Sequence, residues 1–229
     1  MKLSRSKVEL FLECPKCFYY DVVLKKGRPS GFPLNLNNAI DLLLKKEFDL
    51  YRNENLIHPV QMEAGITFKP AKHEKLDQWR STSLGGVSHF NAKHNCTYFG
   101  IIDDLWVNDT NQFAIVDYKS TAKEKPVKEL PLWADSYKRQ LSFYNYLLKK
   151  NGLDMFEKGF LVYTTALLGE EKFDNNLKFS THVISVDLDL DWIDPTFEAI
   201  QTLLERNEVP QSSENCKFCS FVNHRIEII

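Results

Sequence analysis

No stretch of the chain approaches the roughly 20 consecutive apolar residues that a bilayer-spanning helix needs, so a membrane protein is not expected. The N-terminus, Met1-Lys2-Leu3-Ser4-Arg5-Ser6, has neither the apolar segment nor the small-residue cleavage site of a secretory signal. The expectation is an intracellular, cytoplasmic protein. An excess of one charge is also missing, since 29 basic residues face 31 acidic ones for a formal net charge of −2. That balance excludes a strongly basic coat but leaves room for a local basic groove. Internal repeats and low-complexity tracts are absent. With 43% hydrophobic and 26% charged residues, the composition excludes wholesale disorder and fibrous architectures. The 229 residues suffice for one domain with a full core, or one domain and a small appendage.

Cysteine is scarce but arranged. Of Cys14, Cys17, Cys96, Cys216 and Cys219, four form the pairs Cys14-Pro-Lys-Cys17 and Cys216-Lys-Phe-Cys219. In a reducing compartment such pairs are more often metal ligands than disulfides. Two intervening residues let both sulfurs face one centre, and four thiolates close a tetrahedral zinc site or hold a [4Fe–4S] cluster. A shared site would join the chain ends and close a very long loop. Cys96, in an apolar and aromatic stretch, reads as a core residue.

The elements are legible in part. Ser6-x-x-Glu9 predicts a capping box and a helix that stops near Cys14-Pro15. Helical spacing of Leu36, Ile40, Leu43, Leu44, Phe48 and Tyr51 predicts a helix over about 36–51. A strand near Ile66–Phe68 and a short helix near Glu74–Arg80 are expected between less readable segments. Thr97 to Val107 reads as a strand, Asn108-Asp109-Thr110-Asn111 as a turn, and Gln112 to Tyr118 as the returning strand. A helix follows from about Ala134 to Lys150, then strands near Gly159–Thr164 and Thr181–Leu188. Asp194-Pro195 predicts a last helix with Asp194 as its cap.

The hairpin gathers charge. A turn centred near residues 109–110 sets Asp103 opposite Asp117 or next to it, with Cβ atoms about 5 Å apart if directly opposed. Carboxylates that close repel unless a hard divalent cation neutralises them. Lys119, two residues beyond Asp117, points to the same face. Metal, water and ammonium in one place suit phosphodiester hydrolysis.

Taken in order, Gly100-Ile101-Ile102-Asp103, Asp117-Tyr118-Lys119 and Gln140-Leu141-Ser142-Phe143-Tyr144 resemble the G-x-x-D, (D/E)-x-K and Q-x-x-x-Y series of the PD-(D/E)XK nuclease superfamily. More narrowly, the chain resembles the RecB-type branch, with the iron–sulfur nucleases of CRISPR adaptation and of helicase–nuclease repair complexes. Cys14-Pro15 before Phe18-Tyr19-Tyr20, and the Cys216/Cys219 pair, are similar to that branch's terminal cysteines. The resemblance reaches from about Val8 to Cys219. It implies an α/β restriction-endonuclease-like core, a central mixed sheet flanked by helices, with the termini joined at a four-cysteine metal site. On that reading 1–229 is a single nuclease domain, with a core of about 36–205 and a cysteine clip from segments 1–30 and 206–229.

The resemblance further implies a Mg²⁺- or Mn²⁺-dependent deoxyribonuclease of DNA repair, recombination or defence. Its substrate would be single-stranded DNA or duplex ends, and its partner a helicase or an adaptation complex. Asp103, Asp117 and the Tyr118 carbonyl would ligate the ion, Lys119 would serve the attacking water, and Gln140 and Tyr144 would support the site or touch the DNA backbone. The sequence departs from the pattern twice. Asp41 stands where the branch often has a histidine, with Glu47 as a competitor inside the expected apolar arc. The thiolates split two and two, not one and three, which opens zinc as an alternative to the [4Fe–4S] cluster that the resemblance implies and that stays the expected occupant. Candidate phosphate contacts are Lys119, Lys123, Lys125, Lys138 and Arg139, with Lys16, Lys25, Lys26 and Arg28 near the cysteines. Phe18, Tyr19 and Tyr20 would stack on bases or pack around the cluster. The alternatives are an inactive DNA-binding protein of the same fold, a zinc-binding interaction module, and a nuclease acting on RNA.

Overall fold

A computed structural model describes residues 1–131, 134–206 and 208–226. Of the expected C-terminal segment 206–229, Asn207 and residues 227–229 lie outside the described residues. The chain divides into two compact units, Met1–Phe32, Phe90–Tyr98 and Asp191–Ile229 forming one, Pro33–His89 and Phe99–Leu190 the other. The fold class is the expected α/β class, with mixed sheet flanked by helices and the four cysteines of the two termini gathered together. Among the described residues, no helix is long and apolar enough to cross a membrane.

The first unit begins with strand β1 (Lys2–Ser4), which leads directly into helix α1 (Arg5–Glu13). The capping residue is Ser4, not Ser6. Its side chain accepts from Lys7 N, so the helix starts ahead of the expected box, and the buried Glu9 pairs with Arg5 instead. The helix stops at Cys14 as the proline demands, but Pro15 then opens a second helix, α2 (Pro15–Val22), because its fixed φ suits a first helical position. Phe18 and Tyr19 of α2 are buried, and Phe18 meets Phe11 edge to face. They are core residues here, whereas Tyr20 is 37% exposed.

The second unit is organised by a five-stranded sheet. Its members are β2 (Lys69–Pro70), β5 (Asp104–Val107), β6 (Phe113–Lys123), β7 (Lys158–Leu167) and β8 (Phe179–Asp187), in that order. The strand expected over Thr97–Val107 is two strands in different sheets. β4 (Cys96–Gly100) pairs with β1 and β3 (Val87–Asn91), and the chain breaks at residues 101–103 before β5 begins. Strands β5 and β6 form the expected antiparallel hairpin. The Asn108 carboxamide oxygen holds its turn by accepting from Thr110 N and Gln112 N. β6 and β7 are parallel and joined through helix α6 (Asp135–Lys150), as a parallel pair requires. The expected strand at Ile66–Phe68 is displaced to β2. After the short α4 (Pro59–Glu63), the helix expected at Glu74–Arg80 is the shorter α5 (Leu76–Trp79).

Alternation along β6 supplies both faces of the sheet. Val116 and Tyr118 face helix α3 (Asn35–Glu54), in a core with Leu44, Phe48, Trp106, Phe160 and Val162. Asp117 faces α6, whose Gln140 donates to it, and Ile115 and Leu141 both close on Gly159. The α3 face is narrower than its leucine content suggests. Leu44 and Phe48 are buried, but Leu36 and Leu43 are more than half exposed.

In the first unit, helix α7 (Ile193–Arg206) buries Phe197 flat against Tyr98. It starts one residue before Asp194, which therefore sits in its first turn and does not cap it. Helix α8 (Lys217–Ile226) follows Cys216. Cys96 is completely buried.

Candidate functional site

Strand β6 carries Asp117 and Lys119 two residues apart, so both side chains leave on one face. Its pairing with β5 ends at Asp104 opposite Val116. One further step would set Asp103 opposite Asp117, but the chain turns away there. Asp103 Oδ2 instead accepts the Tyr118 main-chain N–H at 3.1 Å. A side-chain carboxylate thus satisfies the donor that the departing strand leaves open. This fork holds two acidic side chains at the mouth of the hairpin.

Asp117 is 1% exposed. Gln140 Nε2 donates to its Oδ1 at 2.6 Å, which places the first residue of the Gln140-to-Tyr144 motif directly on the acid. Its Oδ2 forms an ion pair with Lys119 Nζ, yet no directed hydrogen bond reaches that oxygen. Burial pushes the Asp117 carboxyl up to about 7, opposed by Lys119 and helped by the nearby Asp103 charge. Burial pulls the Lys119 ammonium down, but Asp117 and Asp103 outweigh it and the net shift is upward. Lys119 also lies over the Tyr137 ring, 5.0 Å from its centroid.

Helix α3 adds the third acid. Asp41 and Lys45, one turn apart, face the fork, and Lys45 Nζ donates to Asp41 Oδ2 at 2.8 Å and to Asp103 Oδ1 at 2.9 Å. Burial and the Asp103 charge push the Asp41 carboxyl up, against the pull of Lys45. Asp41, Tyr118, Lys119, Ser120, Asn37 and Tyr137 line a cavity of about 320 Å³. Glu47 is not brought to this place. It lies roughly 120° around the helix from Asp41, half exposed, with its carboxylate 2.9 Å from His58 Nε2. Tyr144 is a buried ring pressed on Gly100. A Cβ at Gly100 would stand 2.3 Å from Tyr144 Cε1, so the glycine of the first motif makes room for the tyrosine of the last.

The donor set suits a hard divalent cation. Asp117 Oδ2 is buried against the Lys119 ammonium, and Asp41 and Asp103 share a single ammonium. The three aspartates are not preassembled as ligands. Among the described residues, the one group whose candidate ligand atoms all lie within 4.8 Å of one another is Cys14, Cys17, Cys216 and Cys219. The Cys17 sulfur lies 3.6 Å from that of Cys216 and 3.6 Å from that of Cys219, and Cys14 lies 3.8 Å from Cys219. Both pairs open a helix. Cys14 precedes Pro15 of α2, and Cys216 precedes Lys217 of α8. Arg28 Nη2 lies 3.6 Å from the Cys216 sulfur, while its guanidinium pairs with Glu13 and stacks over Phe218. Arg28 is therefore occupied at the cysteines.

Sequence reasoning missed two features. Lys45 was visible only as the i+4 partner of Asp41. The other is a buried network behind β6. Asp104, fully buried, accepts Arg52 Nη2 at 2.5 Å and the Tyr118 hydroxyl at 2.7 Å. Arg52 also donates to Ala71 O, and shares Asp49 with Arg80. Spacing marks only Asp49 and Arg52, an i,i+3 pair on α3, as partners; it gives no sign of the pairing with Asp104, Ala71 or Arg80.

No curated protein matches this chain. Among solved structures, a crystal structure of SSO0001 matches at 18% identity and a TM-score of 0.45, covering 96% of this chain and 84% of that one. The family model of the PD-(D/E)XK nuclease superfamily matches residues 52–223, a span that contains Asp103, Asp117, Lys119, Gln140 and Tyr144 as well as Cys216 and Cys219. With well over half of its length matched, the chain belongs to the PD-(D/E)XK nuclease superfamily.

Proposed function

We propose that the protein is a divalent-metal-dependent nuclease that hydrolyses DNA phosphodiester bonds, and that 1–229 works as one nuclease domain. The observation that carries this reading is the fork at the mouth of the β5–β6 hairpin, where Asp103, Asp117 and Lys119 meet. Asp103 and Asp117 would hold Mg²⁺ or Mn²⁺, with the Tyr118 carbonyl and Asp41 as further donors. The ion, when bound, polarises the phosphoryl oxygens and acidifies water. The remaining work belongs to the chain. Gln140 fixes the Asp117 carboxylate through its 2.6 Å hydrogen bond. The Lys119 ammonium orients the attacking water and faces the charge that develops on the phosphate. Lys45 holds Asp41 and Asp103 together, so the acids keep their places despite their repulsion. Tyr144 acts through packing, by seating α6 against Gly100.

Within the superfamily, the paired terminal cysteines and the motif order favour the RecB-type branch. That branch suggests work in repair, recombination or defence, in the cytoplasm and beside a helicase or adaptation partner. The test is cleavage of linear and circular DNA, single- and double-stranded, with Mg²⁺ or Mn²⁺, alongside Asp117→Ala and Lys119→Ala. Wild type should cut, and each variant should lose at least about a hundredfold in rate. Equal cutting by all three proteins would refute the assignment. DNA binding without cutting under any divalent ion would leave only the fold.

A further inference from the structure

We propose that the four thiolates hold a single zinc ion and not the [4Fe–4S] cluster that the resemblance implies. The proposal rests on the reading that the two C-x-x-C pairs share one metal centre. Four ligands on one ion with Zn–S bonds of about 2.3 Å occupy the corners of a tetrahedron whose edges are about 3.8 Å. Three sulfur–sulfur edges here measure 3.6, 3.6 and 3.8 Å. The other three lie within 4.8 Å. A cubane cluster imposes a different geometry. Each thiolate binds its own iron at a separate corner and points away from the other three, with inorganic sulfide filling the space between. Its four cysteine sulfurs therefore stand well beyond the edge of a one-ion tetrahedron. The sulfurs of this chain leave no room for that core. A tetrahedral all-sulfur site takes zinc or iron; the spacing speaks against the cubane, and redox-inert zinc is the ion that suits a closed structural site.

The surroundings agree with a closed structural site. Cys14, Cys17 and Cys216 are each less than 10% exposed. Four thiolates on a divalent ion carry a net charge of −2, which the chain opposes from three directions. Helices α2 and α8 both begin at a ligand pair, so their positive ends face the sulfurs. Arg28 supplies a full positive charge 3.6 Å from Cys216.

The test is metal and sulfide content of the full chain, expressed with both iron and zinc supplied and purified anaerobically. Zinc-edge X-ray absorption on the same sample needs no variant that might fail to fold. The proposal expects one zinc per chain with only traces of iron, no acid-labile sulfide, and a shell of four sulfurs at about 2.3 Å. About four irons with matching sulfide, or one iron without sulfide, would overturn zinc and leave shared ligation standing. Metal-free protein would overturn shared ligation itself. None of these results bears on cleavage at Asp103 and Asp117, so a failure here is distinct from failure of the nuclease reading.

Discussion

At the scale of single residues, the chemistry turns on groups whose charge burial has made costly. Asp117 carries a proton up to about pH 7 in the metal-free protein, because desolvation outweighs its lysine partner. A metal ion binds the ionised carboxylate, so below that pH binding must expel the proton. The sign follows. Mn²⁺ affinity should rise with pH by up to about tenfold per unit below 7 and level off above about 8. Titration calorimetry at pH 6, 7 and 8 would show this, with Asp117→Asn flat across the range. A pH-independent affinity in wild type would show that Asp117 is not the proton source. Behind the strand, Arg52 neutralises the fully buried Asp104. Arg52→Ala strands that carboxylate and should cost about 3–5 kcal/mol in urea unfolding. The double change Arg52→Met with Asp104→Leu should recover much of it, since removing both charges removes the unpaired one. Neither arginine nor aspartate stood out in the sequence. Their pairing spans 52 positions and depends on how α3 lies on the sheet.

At the scale of elements, the motifs that look separate in sequence are the two sides of single contacts. Gly100 ends β4 and Tyr144 sits in the middle of α6, and the ring occupies the space where a Cβ would be. Gly100→Ala should therefore cost about 1–3 kcal/mol by forcing α6 off the sheet. In a Tyr144→Ala background the same change should cost less than about 0.5 kcal/mol. Equal costs in both backgrounds, read from a double-mutant cycle in urea, would remove this explanation of the glycine. The elements that sequence displayed best were those with strong local signals. The Asn108-to-Asn111 turn sets the hairpin register, and Asn151-Gly152 bounds α6, with Gly152 at φ 90° just past its end. The misplacements have physical causes. Ile101 and Ile102 are apolar enough to extend a strand, but Asp103 turns into an acceptor for Tyr118 N–H, and the strand breaks there. Leu36 and Leu43 share helical spacing with Leu44 and Phe48, yet the sheet covers a narrower arc than the leucines span. Glu47 was assigned to that arc for the same reason, and the structure gives it His58.

At the scale of the whole chain, the two ends meet at the cysteines. The contacting sulfurs come from residues 199 to 205 positions apart. A link that closes so long a loop removes about 5 kcal/mol of conformational freedom from the unfolded chain, in the loop-entropy account used for disulfides. The C-x-x-C spacing made the pairs visible in sequence, but their convergence follows from α1, α2, α7 and α8 belonging to one unit, which no local pattern encodes. On the proposed shared metal centre, the contributions of the four sulfurs cannot be independent. Cys17→Ser and Cys216→Ser should each release the metal and lower the melting temperature by nearly the same amount, and the double variant should lose little more than either single one. Chelation of the wild-type protein should reproduce that loss, while leaving the double variant unchanged. Thermal unfolding of the four proteins, with and without chelator, provides the measurement. Losses that add would mean that each cysteine stabilises its own helix, and that the long loop is closed by packing and not by a metal.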